Sequence, residues 1–123
     1  MLKVYTGQFA QVDRYLAAGL NCCSIARKEP VWFTGPTIKE LAPTKELLNE
    51  YHAGMSIGAF YKLFNAQLET VDHVALIEKL EQLSAGFQGI VLLCYESPGK
   101  FCHRTIVAQY IAKLISQPVV EFP

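Results

Sequence analysis

The sequence lacks an excess of charge of either sign. It holds 11 lysines and arginines against 11 aspartates and glutamates, which gives a formal net charge of zero. Proteins that bind duplex DNA or long RNA owe most of their affinity to many lysine and arginine contacts with phosphates. The balanced charge therefore argues against an extended nucleic-acid surface, while it is compatible with a small basic pocket.

The sequence also lacks a long apolar run. No stretch approaches the roughly 18 to 20 uninterrupted apolar residues that span a bilayer. The first residues, MLKVYTGQF, do not show the order of charged, apolar and small residues found in a signal peptide. A composition of 51% apolar and 18% charged residues excludes a disordered chain. We therefore expect a soluble, cytoplasmic protein that makes no contact with membranes.

Cysteine is scarce, with four residues in the chain. We expect reduced thiols, because a chain of this length with an apolar core does not need disulfides. Cys22 and Cys23 are neighbours in an apolar run, so in a strand their side chains point to opposite faces and cannot share a metal. The C-x₇-C-H spacing from Cys94 to His103 matches no common zinc module, and we predict neither a metal nor a cofactor.

The patterning predicts one α/β domain over residues 1–123. Apolar runs typical of strands lie at 2–6, 20–26, 89–95 and 118–122. Helical spacing of apolar residues covers 8–18, 44–51, 56–68, 71–85 and 102–115. Because helices separate the strands, the connections are crossovers and the sheet is mainly parallel. The predicted fold is a small, Rossmann-like three-layer sandwich of about four strands, with 89–95 in the centre.

Finer details of the predicted elements concern turns and core-facing residues. Gly7 is expected to begin a turn after the first strand, and Ser56 to cap the helix that follows it. Val74, Ile77 and Leu80 are expected to face the core from the helix at 71–85. Residues 27–43 show no period and contain three prolines, which predicts a long loop of the kind that often covers a binding site.

Ligands of open parallel sheets bind beyond the carboxyl ends of the strands, where loops lead into helices. This rule selects Tyr5 and Thr6 after the first strand and Arg27 after the second. The central strand and the helix that follows it contribute the remaining candidates, Cys94, Glu96, Cys102, His103 and Arg104. The predicted site is therefore a rim on one edge of the sheet.

The predicted catalytic residues are Cys102, His103 and Glu96. A cysteine in the first turn of a helix has its thiolate stabilised by the helix dipole and by unpaired amides, so Cys102 is the candidate nucleophile. His103 is a candidate general acid or base, and Glu96 a base or the partner of an arginine. Cys94, at the end of an apolar strand, is interpreted as a core thiol.

The predicted substrate-binding residues are Arg27, Arg104, Tyr5 and Thr6. Guanidinium groups and the amides at a helix start bind phosphates and carboxylates. We therefore expect a small anionic ligand, such as a nucleotide, a nucleic-acid base or a phosphorylated metabolite. The alternative is that Arg104 only forms an ion pair with Glu96.

Three segments together resemble a known family. VYTG at 4–7, CCSIAR at 22–27, and the pair VLLCYE at 91–96 with CHR at 102–104 resemble the domain of unknown function 488 (DUF488) family. Its members typically carry Y-T-I-G, a D-V-R strand end and C-x-E followed by C-H-R. The resemblance covers nearly the whole chain and implies the same α/β fold and rim site. The chain departs from the pattern at Gly7, in place of isoleucine, and at Ile25, in place of aspartate.

Three functional hypotheses remain open at this point. The first is an enzyme, or an enzyme altered by the change at Ile25, that acts on an anionic substrate at the rim. The second is a non-catalytic binding or interaction module in which the C-x-E and C-H-R motifs are structural. The third is redox chemistry between Cys94 and Cys102, which requires Cα atoms within about 7 Å.

Overall fold

The computed structural model describes residues 2–95 and 103–123. The strands are β1 (Val4–Gln8), β2 (Leu20–Ser24), β3 (Gly89–Cys94) and β4 (Val120–Glu121). The α-helices are α1 (Val12–Ala17), α2 (Lys45–His52), α3 (Ile57–Glu69), α4 (His73–Ser84) and α5 (His103–Ile115). Single 3₁₀ turns lie at Phe9–Gln11 and Lys39–Leu41.

The four strands form one parallel sheet in the order β2-β3-β1-β4. Helix α1 packs against β2, whereas α4 and α5 pack against β3 and α3 lies against α5. We call the two faces of the sheet the α1 side and the α5 side after these helices. The helices on both sides make three layers, which confirms the predicted parallel α/β sandwich.

Successive residues of the central strand alternate between the two sides. Ile90 and Leu92 belong to the larger apolar core on the α5 side, and Val91 and Leu93 to the smaller core on the α1 side. All six residues of β3 are buried, as expected for a strand covered on both faces. The neighbouring residues Cys22 and Cys23 of β2 also separate, with Cys22 in the smaller core and Cys23 in the larger one.

The first strand ends later than the sequence indicates. A turn at Gly7 is wrong: Gly7 pairs with Leu93 inside β1, which continues to Gln8. A side chain at Gly7 would place its Cβ only 2.4 Å from the hydroxyl oxygen of Tyr15. Glycine is thus required here for close packing of α1 on the strand, and this requirement is not visible in local turn statistics.

The helix start predicted at Ser56 agrees with the structure, whereas the residues predicted to face the core from α4 agree only in part. Ser56 accepts a hydrogen bond from the Ala59 amide, as predicted for the start of α3. In α4, Leu80 is buried as expected, but Val74 is 69% exposed and Leu76 takes the core position. Val74 precedes Leu76 by two residues, which is about 200° around a helix, so the two cannot face the core together.

The long segment from Arg27 to Pro43 returns to the edge of the sheet. Ser24 forms a parallel bridge with Thr37, and the Ile38 amide donates to the Ser24 carbonyl at 2.9 Å. Ile38 and Leu41 are then fully buried in the larger core. The segment therefore starts shortly after the carboxyl end of β2, and its far end is anchored in the larger core. Among the described residues, no helix combines the length and apolarity needed to cross a membrane.

Candidate functional site

The structure describes only part of the predicted catalytic set. Glu96 and Cys102 lie outside the described residues, and so does the proposed pairing of Cys94 with Cys102. His103 is described as the first residue of α5, and Arg104 follows it. Their contacts define the part of the rim that is visible.

His103 lies between a thiol and a backbone carbonyl. Its Nε2 is 2.7 Å from the Ile25 carbonyl oxygen, and its Nδ1 is 3.5 Å from the Sγ of Cys94. A carbonyl oxygen only accepts hydrogen bonds, so we assign the ring proton to Nε2. In the neutral ring Nδ1 is then the acceptor, and it faces the Cys94 thiol. A thiol, a base and a group that orients the base are thus in contact, as in enzymes with an activated nucleophile.

Cys94 was interpreted from the sequence as a core thiol or as a redox partner of Cys102, and its contact with His103 is what that interpretation missed. The thiol is buried, with 3% of the residue exposed, which agrees with its interpretation as a core residue. It is nevertheless the last residue of β3, and His103 is the first residue of α5. In a crossover connection the next helix begins near the end of the strand before it, so these two positions were detectable as neighbours.

Arg104 and Thr6 are used in a buried contact with the last strand. The Arg104 Nε donates to Glu121 Oε1 at 2.6 Å, and the Thr6 hydroxyl donates to the same oxygen at 2.8 Å. Arg104 is only 2% exposed. These contacts join α5, β1 and β4, and they give both residues a structural role. Their predicted role in substrate binding stays a prediction, and Glu121 is a partner that the sequence interpretation did not identify.

Tyr5 and Thr6 do not lie at the carboxyl end of β1. The strand continues for two residues beyond Thr6, to Gln8, which pairs with Cys94. Tyr5 is partly buried and packs edge-on against Phe122 with ring centroids 5.2 Å apart. The structure therefore places Gln8, rather than the two predicted residues, beside the end of the central strand.

A cationic cleft opens where the chain leaves β2. It has a volume of about 690 Å³ and is lined by Arg27, Lys28, Lys39 and Lys45. Lys39 forms a salt bridge with Glu29. Within residues 2–95 and 103–123, no salt bridge is recorded for the other three cations. The described residues that line the cleft are thus all cationic, in a protein that is neutral overall.

The cleft and the Cys94–His103 pair share one backbone segment. His103 contacts the carbonyl of Ile25, and Lys39 Nζ donates to the carbonyls of Ala26 at 3.2 Å and Arg27 at 3.0 Å. Of three successive carbonyls after β2, the first therefore contacts His103 and the next two accept hydrogen bonds from a lysine of the cleft. The sequence predicted only Arg27 of these four cations, because Lys39 and Lys45 come close to Arg27 and Lys28 only when residues 27–43 fold back.

Burial suppresses the ionisation of Cys22 and Cys23, the other two described cysteines. Burial raises the pKa of Cys22 to about 11 and that of Cys23 to about 12, and for Cys23 the nearby Lys79 opposes this effect only in part. Both thiols therefore stay protonated at neutral pH and are poor nucleophiles. In the described part of the chain, no three histidine, cysteine or acidic side chains come together as metal ligands.

The fold and the site define a small parallel α/β protein with a thiol–imidazole pair at the carboxyl end of its central strand. A family model described as the active DUF488-N3 subclade, DUF488-N3a, matches residues 22–114, or 93 of the 123 residues. The chain therefore belongs to the DUF488 family. The matched range includes Cys94, His103 and the four cations of the cleft. No curated protein and no solved structure matches the chain.

Proposed function

We propose that the protein is an enzyme that binds a small phosphorylated substrate in the cationic cleft and attacks it with the Cys94 thiol. The observation that carries this proposal is the shared segment from Ile25 to Arg27. It contacts the base of the thiol pair through its first carbonyl and a lysine of the cleft through its next two. A ligand held by the cations would therefore lie against the same segment that contacts His103.

The charges of the cleft favour a phosphorylated ligand. Arginine presents a planar fork that matches two phosphate oxygens, and lysine supplies a flexible point charge. The four described cations of the cleft, one of them paired with the Glu29 carboxylate, suit a ligand with two or more negative charges, such as a diphosphate or a nucleotide. This agrees with the anionic substrate expected from the sequence.

His103 would act as the base and then as the acid of the reaction. Its Nδ1 accepts the proton of the Cys94 thiol, and the thiolate forms a bond to the electrophilic atom of the substrate. The leaving group departs with the electron pair of the broken bond and takes the proton from Nδ1. Water then attacks the same atom of the substrate. His103 Nδ1 takes a proton from the water, and the Cys94 thiolate leaves with the electron pair of its bond and recovers that proton. The contact with the Ile25 carbonyl keeps the His103 ring in the tautomer that these proton transfers need.

The binding half of the proposal is tested with inorganic pyrophosphate and ADP in isothermal titration calorimetry. We expect the double variant Arg27→Gln/Lys45→Gln to bind each probe at least tenfold more weakly than the parent. The matched control is Lys62→Gln/Lys113→Gln, which removes two exposed cations from α3 and α5 and should leave binding unchanged. Equal weakening by both double variants would show only a general charge effect and would overturn the assigned site.

The chemical half is tested by alkylation with iodoacetamide and identification of the modified cysteine by peptide mass spectrometry. We expect Cys94 to react faster than Cys22 and Cys23 at pH 7.5, and the replacement His103→Gln to slow Cys94 at least fivefold. Saturating pyrophosphate should protect Cys94. Equal rates for the three thiols, or no effect of His103→Gln, would exclude an activated nucleophile. Pyrophosphate binding without thiol reactivity would instead support the binding-module hypothesis.

A further inference from the structure

A second concave region lies on the α1 side of the sheet, between α1 and the start of the long loop. One cavity of about 260 Å³ has apolar walls formed by Val12, Leu16, Trp32 and Phe33. A second cavity of about 240 Å³ shares Val12 and Trp32 with the first. The two cavities thus form one groove, with Trp32 in the wall of both. No residue of the Cys94–His103 pair or of the cationic cleft lines this groove.

Trp32 presents much of its ring to solvent. The residue is 57% exposed, although it packs edge-on against Phe9 and Phe33 with ring centroids 6.3 Å and 6.4 Å away. Leu16, across the groove, is 51% exposed. An exposed aromatic ring beside an apolar cavity is a contact surface for the body of a small ligand.

The charge of the groove is opposite to that of the cleft. Asp13 lines both cavities. Its neighbour Arg14 is directed elsewhere, toward the carbonyls of Phe122 and Pro123 and the side chain of Gln11. Within the described ranges no salt bridge is recorded for Asp13. Asn21, also in the lining, uses its amide on the carbonyl of Leu83 and on the Cys22 amide.

We infer that this groove is a separate binding site for a small organic cation, namely an ammonium group carried on an aromatic or apolar body. The body would lie against Trp32 and the apolar walls, and the ammonium group would pair with the Asp13 carboxylate. A cation near the indole gains an additional attraction from the ring face. An anionic ligand is disfavoured by Asp13, so the two sites of the protein select opposite charges.

Fluorescence tests this inference directly, because Trp32 is the single tryptophan of the chain. The probe is 2-phenylethylammonium, with 2-phenylethanol and 3-phenylpropionate as neutral and anionic analogues. We expect a saturable change of emission with a Kd in the millimolar range for the ammonium compound. The alcohol should bind at least fivefold more weakly and the carboxylate not at all. Equal affinity for the ammonium compound and the alcohol would overturn the charge assignment.

A variant pair then tests the assigned residue. Asp13→Asn should weaken binding of 2-phenylethylammonium at least fivefold, whereas Glu78→Gln, which removes an exposed carboxylate from α4, should leave it unchanged. Lys45→Gln and added pyrophosphate should have no effect on this titration, so the outcome is independent of the proposed function. Unchanged affinity in Asp13→Asn, or the same loss in Glu78→Gln, would place the ammonium group elsewhere and overturn the site.

Discussion

The α1 side and the α5 side share one sheet and differ in depth and in charge. Among the described residues, 17 buried apolar residues form the core on the α5 side and seven form the core on the α1 side. The α5 side also carries the thiol–imidazole pair and the cationic cleft. The α1 side carries one short helix, a partly exposed aromatic cluster and the Asp13 carboxylate.

Alternation along a strand can separate chemistry as well as apolar contacts. Cys94, the last residue of β3, contacts His103 on the α5 side, whereas Tyr95, the first residue after the strand, packs on Phe9 on the α1 side with ring centroids 5.0 Å apart. Because neighbours in a strand point to opposite faces, consecutive residues such as Leu92 and Leu93 belong to the larger and the smaller core, respectively. We expect the α5 side to supply most of the stability and the α1 side to tolerate change.

Shortening one aromatic side chain on each side of the sheet should change the stability most. Phe64 is fully buried and its ring centroid is 5.7 Å from that of His103. Phe64→Ala should lower the free energy of unfolding by about 3–5 kcal/mol. Phe33, which is only partly buried on the α1 side, should cost less than half as much when replaced by alanine. Urea denaturation measures both, and equal losses would contradict the difference in depth.

The next effect concerns charge within the α5 side. Glu121→Gln removes the carboxylate that accepts from Arg104 and Thr6. We expect a loss of about 1.5–3 kcal/mol, toward the lower end because 37% of the Glu121 side chain is exposed. Glu29→Gln, which breaks the more exposed contact with Lys39, should cost less than about 1 kcal/mol. If Glu29→Gln lowers the free energy of unfolding as much as Glu121→Gln does, the contact between Arg104 and Glu121 is no more stabilising than the more exposed one.

Alkaline pH should distinguish the two neighbouring thiols. The folded protein holds the protons of Cys22 and Cys23 up to pH values of about 11 and about 12, whereas the unfolded chain releases them near the ordinary pKa of 9.0. Their stabilising contribution is therefore complete below pH 9 and falls as the pH rises toward those values. Because each thiol ionises more readily in the unfolded chain, we expect each to lower the free energy of unfolding of the parent by about 1 kcal/mol between about pH 8 and 10.

Alanine variants measure this cost thiol by thiol. The decrease of the urea midpoint between these two pH values should be smaller in Cys22→Ala and in Cys23→Ala than in the parent, which corrects for the tyrosines. At still higher pH, we expect Cys23→Ala to reduce this pH-dependent decrease more than Cys22→Ala does, because Cys23 belongs to the larger core. The same pH dependence in all three proteins would show that the thiols ionise freely in the folded state.

The smallest effect concerns helix starts. Thr44, Ser56 and Asp72 each accept a backbone hydrogen bond at the start of a helix on the α5 side. At the start of α1, Gln11 makes no such side-chain contact. Ser56→Ala should therefore lower the free energy of unfolding by about 1 kcal/mol, and Gln11→Ala by much less. Thermal denaturation of the two variants gives the comparison, and a larger loss in Gln11→Ala would reverse it.

Much of the fold was predictable because periodicity and caps are local. The order of strands and helices, the parallel sheet, the central position of β3 and the separation of Cys22 from Cys23 follow from patterns within about ten residues. The length of β1 was not predictable in this way, since it depends on the packing of Tyr15 against Gly7. The core face of α4, with Leu76 buried and Val74 exposed, was likewise not decided by spacing within the helix.

The candidate site was predictable only in outline. The rule that ligands bind at the carboxyl ends of parallel strands located His103 and Arg27. It did not distinguish an exposed arginine in a cleft from Arg104, whose partner Glu121 lies in the last strand. Nor did it assemble Lys28, Lys39 and Lys45, because their proximity depends on the return of the long loop. Long-range contacts thus decide which charges are available to a ligand.

The bridge between Ser24 and Thr37 also protects an edge of the sheet. In the described sheet the outer strands are β2 and β4, and an outer strand with free backbone groups can add a strand from another molecule. The loop blocks the end of β2, where the Ser24 amide donates to the Pro36 carbonyl at 2.9 Å and Pro36 itself has no amide to offer. At the opposite edge β4 has only two residues. The loop that builds the cationic cleft therefore also disfavours edge-to-edge aggregation.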